Sequence, residues 1–213
     1  LPGSCVVGLQ ACPAVETVTT PFAMKDVFTT VSRGIAWSRD GLFGVLVVHP
    51  EDELSRGRTA EELAQLETQS PADFDVATST IYLFDAATDA WRAIYHAERK
   101  FVYTPVWSAD GQWLAFMVRT SVWAFHPFQD DDGVYVIHPD GTGLQQLSSM
   151  DAIALGWIGN SIALQRNTVR YPAIDYAIEM LSLDGQVTSL FKSERIAYYN
   201  LAPDGGALLV SDM

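Results

Sequence analysis

Apolar residues in this chain fall into short runs separated by Gly, Asp, Asn and Ser, as in Leu42 to Val48, Trp113 to Val118 and Val134 to Ile137. These runs are too short for helices and rich in β-branched and aromatic side chains, which predicts strands bounded by turns. Four segments share one form. Gly34-Ile35-Ala36-Trp37-Ser38-Arg39-Asp40-Gly41 precedes the run Leu42 to Val48, and Pro105-Val106-Trp107-Ser108-Ala109-Asp110-Gly111-Gln112 precedes Trp113 to Val118. Leu155-Gly156-Trp157-Ile158-Gly159-Asn160 precedes Ser161 to Leu164, and Asn200-Leu201-Ala202-Pro203-Asp204-Gly205 precedes Ala207 to Val210. Each reads as strand, tight turn, strand, with Asp-Gly or Gly-Asn supplying the positive φ of a hairpin turn.

A second hairpin lies between these copies. Its first strand is Ile81 to Asp85, Val134 to Ile137 or Ile178 to Leu183, and its second is Trp91 to Tyr95, Leu144 to Leu147 or Val187 to Phe191. Two hairpins per repeat make a four-stranded sheet. The anchors Trp37, Trp107, Trp157 and Leu201 are 70, 50 and 44 residues apart, and roughly 40–50 residues is the length of one propeller blade. The surplus in the first interval is residues 49–79, where Thr59 and Glu62 form a capping box and Ala60 to Glu67 favours helix. A helical insertion between two strands of the first blade is expected there. A blade carries apolar side chains on both faces, so neighbouring blades must stack, and the anchor tryptophans are expected to pack between them.

Trp107-Ser108-Ala109-Asp110-Gly111-Gln112-Trp113-Leu114-Ala115-Phe116 resembles the WD40-like (PD40) repeat of TolB, of the tricorn protease propeller and of prolyl oligopeptidase-type propellers. The likeness runs over about residues 30 to 213. It is strongest in the second copy and weakest in the third, where Gly159-Asn160 replaces Asp-Gly and no Ser follows Trp157. The resemblance implies an all-β chain, a β-propeller of four-stranded antiparallel blades. About four blades fit residues 1–213 as a single domain. The fourth copy has one hairpin, and the strand-like runs Val6 to Leu9 and Thr17 to Phe22 are expected to complete its sheet; the alternative is part of a longer or assembled propeller.

Composition narrows the partners. A hydrophobic fraction of 48% supports a sizeable core. With 26 acidic and 13 basic residues the net charge is −13, which argues against nucleic acid or an anionic membrane surface as the main partner. No apolar run is long enough to cross a bilayer. The start, Leu1 to Cys5, lacks a signal-peptide pattern and reads as that of a mature or trimmed chain. Cys5 and Cys12 fit either a disulfide closing a small loop, which suits an exported protein, or two buried thiols. A periplasmic or extracellular location follows as the expectation.

Signs of chemistry are sparse. No Gly-x-Ser-x-Gly elbow, phosphate loop, dinucleotide fingerprint or zinc helix occurs, and His49, His96, His126 and His138 are scattered. The chain is therefore expected not to be an enzyme and to need no cofactor. Asp130-Asp131-Asp132 could offer oxygen ligands to calcium, but three adjacent aspartates lack the alternating ligand spacing of a calcium loop; a solvated turn is the plainer reading. Trp123, Phe125 and Phe128 make this loop aromatic as well as acidic. With Asp130, Asp131 and the insertion's Glu61 and Glu62, they are the candidate contacts for a protein partner. The function expected is a protein-binding scaffold, an exported subunit of a larger assembly. The alternative is the accessory propeller of a prolyl-oligopeptidase-like or tricorn-like peptidase. A ligand site in the central channel is least favoured, because Gly34 to Trp37 and Thr104 to Trp107 offer few polar side chains.

Overall fold

The computed structural model describes residues 35–48, 78–120, 129–149, 152–170, 173–193, 197–202 and 205–212. All regular elements among them are strands. The first sheet runs in the order β1 (Ala36–Trp37), β2 (Phe43–Val48), β3 (Ser79–Asp85), β4 (Ala90–Ala97). The second is β5 (Phe101–Trp107), β6 (Leu114–Arg119), β7 (Gly133–Ile137), β8 (Gln145–Ser148). The third is β9 (Ile153–Ile158), β10 (Ser161–Arg170), β11 (Ala173–Ser182), β12 (Val187–Ser193). A two-stranded sheet, β13 (Ala197–Leu201) with β14 (Leu208–Asp212), follows. Neighbouring strands in each sheet are antiparallel, so these are three propeller blades and the inner hairpin of a fourth.

Strand β6 shows why its sequence is apolar at successive positions. Leu114, Phe116 and Val118 enter a core with Val45, Val47, Ile81 and Leu83 of the first blade. Ala115 and Met117 point the other way, into a core with Trp157, Ile162, Leu164 and Leu181 of the third. A strand buried on both faces cannot alternate apolar with polar.

The Ser-x-Asp-Gly turns are closed by side chains. In the second blade the Ser108 hydroxyl donates to Asp110 at 2.7 Å and accepts from the Trp113 N–H at 2.9 Å, while Asp110 also accepts from the Gln112 N–H at 3.0 Å. Ser38, Asp40, Leu42 and Phe43 repeat this arrangement. Gly111 sits at φ 70°, where a side chain would be strained. In the fourth copy the backbone bonds persist, Ala202 N–H to the Ala207 carbonyl and Gly205 N–H to Ala202, with no hydroxyl to support them.

The anchors behave as expected in two of three blades. Trp107 donates its indole N–H to the Ala36 carbonyl at 2.8 Å and stacks on Phe43, and Trp157 donates to Val106 at 3.1 Å. Each tryptophan thus bonds to the residue just before the preceding blade's anchor. Trp37 departs from this pattern. It is 48% exposed and meets Phe84 of its own blade edge-on, because no earlier blade stands against it among the described residues. The expected N-terminal runs, Cys5 and Cys12 lie outside the described residues. So does the insertion with its expected helix, up to residue 77; β2 ends at Val48 and β3 begins at Ser79.

Candidate functional site

Because the strands alternate in direction, the two ends of the propeller differ. The tight turns β1–β2, β3–β4, β5–β6, β7–β8, β9–β10, β11–β12 and β13–β14 share one end. The long connections, residues 49–78 and 120–132, leave from the other, between the second and third strands of adjacent blades. The topology therefore brings the connection holding Glu61 and Glu62 and the one holding Asp130 and Asp131 to the same end. Glu61, Glu62, Trp123, Phe125 and Phe128 themselves lie outside the described residues.

The stem of the 120–132 connection is built around Lys100, in the turn between β4 and β5. Its Nζ donates to Thr120 Oγ1 and Asp131 Oδ1, each at 2.6 Å, and to Asp132 Oδ1 at 2.9 Å. Asp132 also accepts from the Thr120 N–H, the Thr120 hydroxyl and the Gln129 N–H. Backbone carbonyls are held too: Tyr135 Oη donates to that of Asp131, and Gln146 Nε2 to those of Asp130 and Asp132. The chain then enters β7 at Gly133, φ 146°, where a Cβ would stand 1.9 Å from the Ser148 carbonyl oxygen. Only glycine allows that approach.

The sequence reading of Asp130 to Asp132 as a solvated turn needs correction. Asp132 is 1% exposed; it is a buried carboxylate satisfied by an ammonium and backbone N–H groups. Burial alone would raise its pKa, but the Gln129 N–H, Lys100 and Thr120 outweigh that and hold it below the ordinary 3.8. On Lys100 burial works against the charge, and the hydrogen bonds to Asp131 and Asp132 outweigh it and raise the pKa. The ammonium of Lys100 stands between Asp131 and Asp132, the carboxylates considered for calcium. Among the described residues no group of three or more His, Cys, Asp or Glu side chains is arranged to hold a metal ion. Asp131 keeps a side chain 68% exposed despite its bond to Lys100, and Asp130 is exposed. Lys100 was not among the residues singled out from the sequence, where it stands some thirty positions before the aspartates it binds; only the pairing of β5, β6 and β7 joins them.

A second feature lies at the turn end. The inner strands of all four sheets converge on an open cavity of about 600 Å³, lined by Trp37, Trp107, Trp157 and Leu201. The four anchors aligned by the repeat thus face one space.

No protein-family model matches the chain, and no curated protein matches it. Solved structures do. An oligogalacturonate lyase from Vibrio parahaemolyticus superposes with a TM-score of 0.56 at 13% identity, over 82% of this chain and 44% of its own. TolB from Acinetobacter baumannii gives 0.50 at 17% identity, over 83% and 36%. The acylaminoacyl peptidase of Pyrococcus horikoshii gives 0.51 at 17% identity, over 84% and 28%. The chain spans less than half the length of these structures. The expectation that it is not an enzyme is overturned by the lyase, an enzyme with this fold. Motif searches exclude particular local signatures, whereas a propeller can assemble a site from residues on several blades that share no local pattern. At these identities the likeness concerns the fold alone, and the fold is a β-propeller of the kind that TolB and these enzymes share.

Proposed function

We propose that this chain is a propeller that holds a protein partner at the end bearing the long connections, as an exported, periplasmic or extracellular subunit of a larger assembly. The observation that carries this reading is the stitched stem of the 120–132 connection. Loops gain affinity when their bound shape is set beforehand, because less ordering remains to be done on contact. Here Lys100, Tyr135 and Gln146 hold three successive residues, Asp130 to Asp132, by side chain or carbonyl. Asp130 and Asp131 remain exposed at the rim, and the aromatic residues Trp123, Phe125 and Phe128 belong to the same connection. Rigid support for Asp130 and Asp131, which follow these aromatics in the sequence, suits a hot spot with a charged rim. The fold likeness to TolB supports the exported location.

A photo-crosslinking residue at Asp130, introduced in cells that make the protein, tests this. The control position is Asp89, in the β3–β4 turn at the opposite end. A discrete protein adduct from position 130 and none from 89 is expected. Equal labelling from both, or none from 130, would refute the assignment.

A further inference from the structure

The cavity at the turn end lies apart from the partner surface proposed above. Trp107 and Trp157 have already given their indole N–H groups to the Ala36 and Val106 carbonyls. The hydroxyls of Ser38 and Ser108 are committed to Asp40 and Asp110. What the other described side chains of the lining chiefly offer is therefore aromatic and aliphatic surface, with Trp37 half exposed and Leu201 packed over Gly156. Among the described residues of this lining, Arg39 is the one with a charged side chain. It is exposed, and it makes no hydrogen bond or ion pair with a described residue.

We propose that this cavity binds a flat, apolar molecule carrying a single carboxylate, its body against the indoles and its carboxylate on Arg39. A volume of about 600 Å³ is in the range of small-molecule sites, which pair a mainly apolar wall with a few polar groups. A guanidinium presents two parallel donors to a carboxylate. One charge is favoured over several. The neighbouring turns carry Asp40 and Asp110, and a chain of net charge −13 repels polyanions.

The test uses two probes of matched shape, 2-naphthoate and 2-naphthamide, titrated calorimetrically against the whole chain. The naphthoate is expected to bind one per chain, about five- to ten-fold tighter than the amide, as befits one charge-assisted contact near solvent. Arg39→Gln should abolish that preference with an unchanged melting temperature. Arg99→Gln, an exposed arginine in the β4–β5 turn at the other end, should leave it intact. The proposal fails if naphthoate does not saturate, if the amide binds equally, or if the preference survives Arg39→Gln or is lost in Arg99→Gln.

Discussion

At the scale of single residues, Lys100 has the clearest energetic role. Its side chain is 15% exposed and that of Asp132 2%, so removing the ammonium leaves a buried carboxylate with only neutral donors. Breaking such a pair from one side costs several kcal/mol, more than the pair's net worth. Lys100→Met should lower stability by about 3 kcal/mol, the low end because some water reaches Lys100. Adding Asp132→Asn should recover part of it; urea unfolding of both variants would show this, and an additive double mutant would contradict it. The pH dependence follows from the depressed folded-state pKa of Asp132. Such a group contributes its full stability above the ordinary carboxylate range, and loses it as pH falls through the folded value. Wild type should therefore lose more stability than Lys100→Met between about pH 5 and pH 3. Lys100, with its raised pKa, has the opposite sign: its contribution holds below pH 10.5 and fades as pH rises past the folded value.

Among elements, the anchor strands separate what the sequence made legible from what it did not. Hairpin order, the Asp-Gly turns and most strand cores could be read from β-rich runs and turn residues, because both are local properties. The difference between Trp37 and Trp107 could not, since it depends on whether a blade stands on the far side. Trp107→Phe keeps a ring but removes the interblade hydrogen bond to the Ala36 carbonyl and part of the indole's packing, and should cost about 1–2 kcal/mol. Trp37→Phe, at a half-exposed position, should change stability by less than about 0.5 kcal/mol. Thermal melts of the two variants side by side would check this; equal losses would mean that the interblade bond contributes nothing. Register hid a further pair. Arg166 on β10 donates to the buried Glu179 of β11 at 2.6 Å, yet the sequence reading ended one strand at Leu164, short of Arg166, and placed Glu179 in the next hairpin. The candidate site shows the same limit: Asp130 and Asp131 were visible as an acidic loop, whereas Lys100, Tyr135 and Gln146 act on it from three other elements.

For the whole molecule, the two faces of β6 decide how cooperatively it opens. The first and second blades share a core containing Phe116, and the second and third share one containing Met117. Neither core includes residues of all three complete blades. Stability in such a stack is a sum of repeat terms and nearest-neighbour interfaces. A cavity at one interface should therefore loosen one junction before the other. Phe116→Ala, which empties a fully buried position at a cost of about 3–5 kcal/mol, should release amide protection chiefly in β2 and β3. Strands β10 and β11 should stay closer to wild type. Met117→Ala, about 2–5 kcal/mol, should spare β2 and β3 and expose β10 and β11 first. Hydrogen exchange read by mass spectrometry on both variants distinguishes the strands directly. If either substitution instead speeds exchange evenly across all sheets, the blades open as one cooperative unit and the pairwise description is wrong. Opposite gradients in the two variants would mean that each end of the stack can move while the other holds its shape.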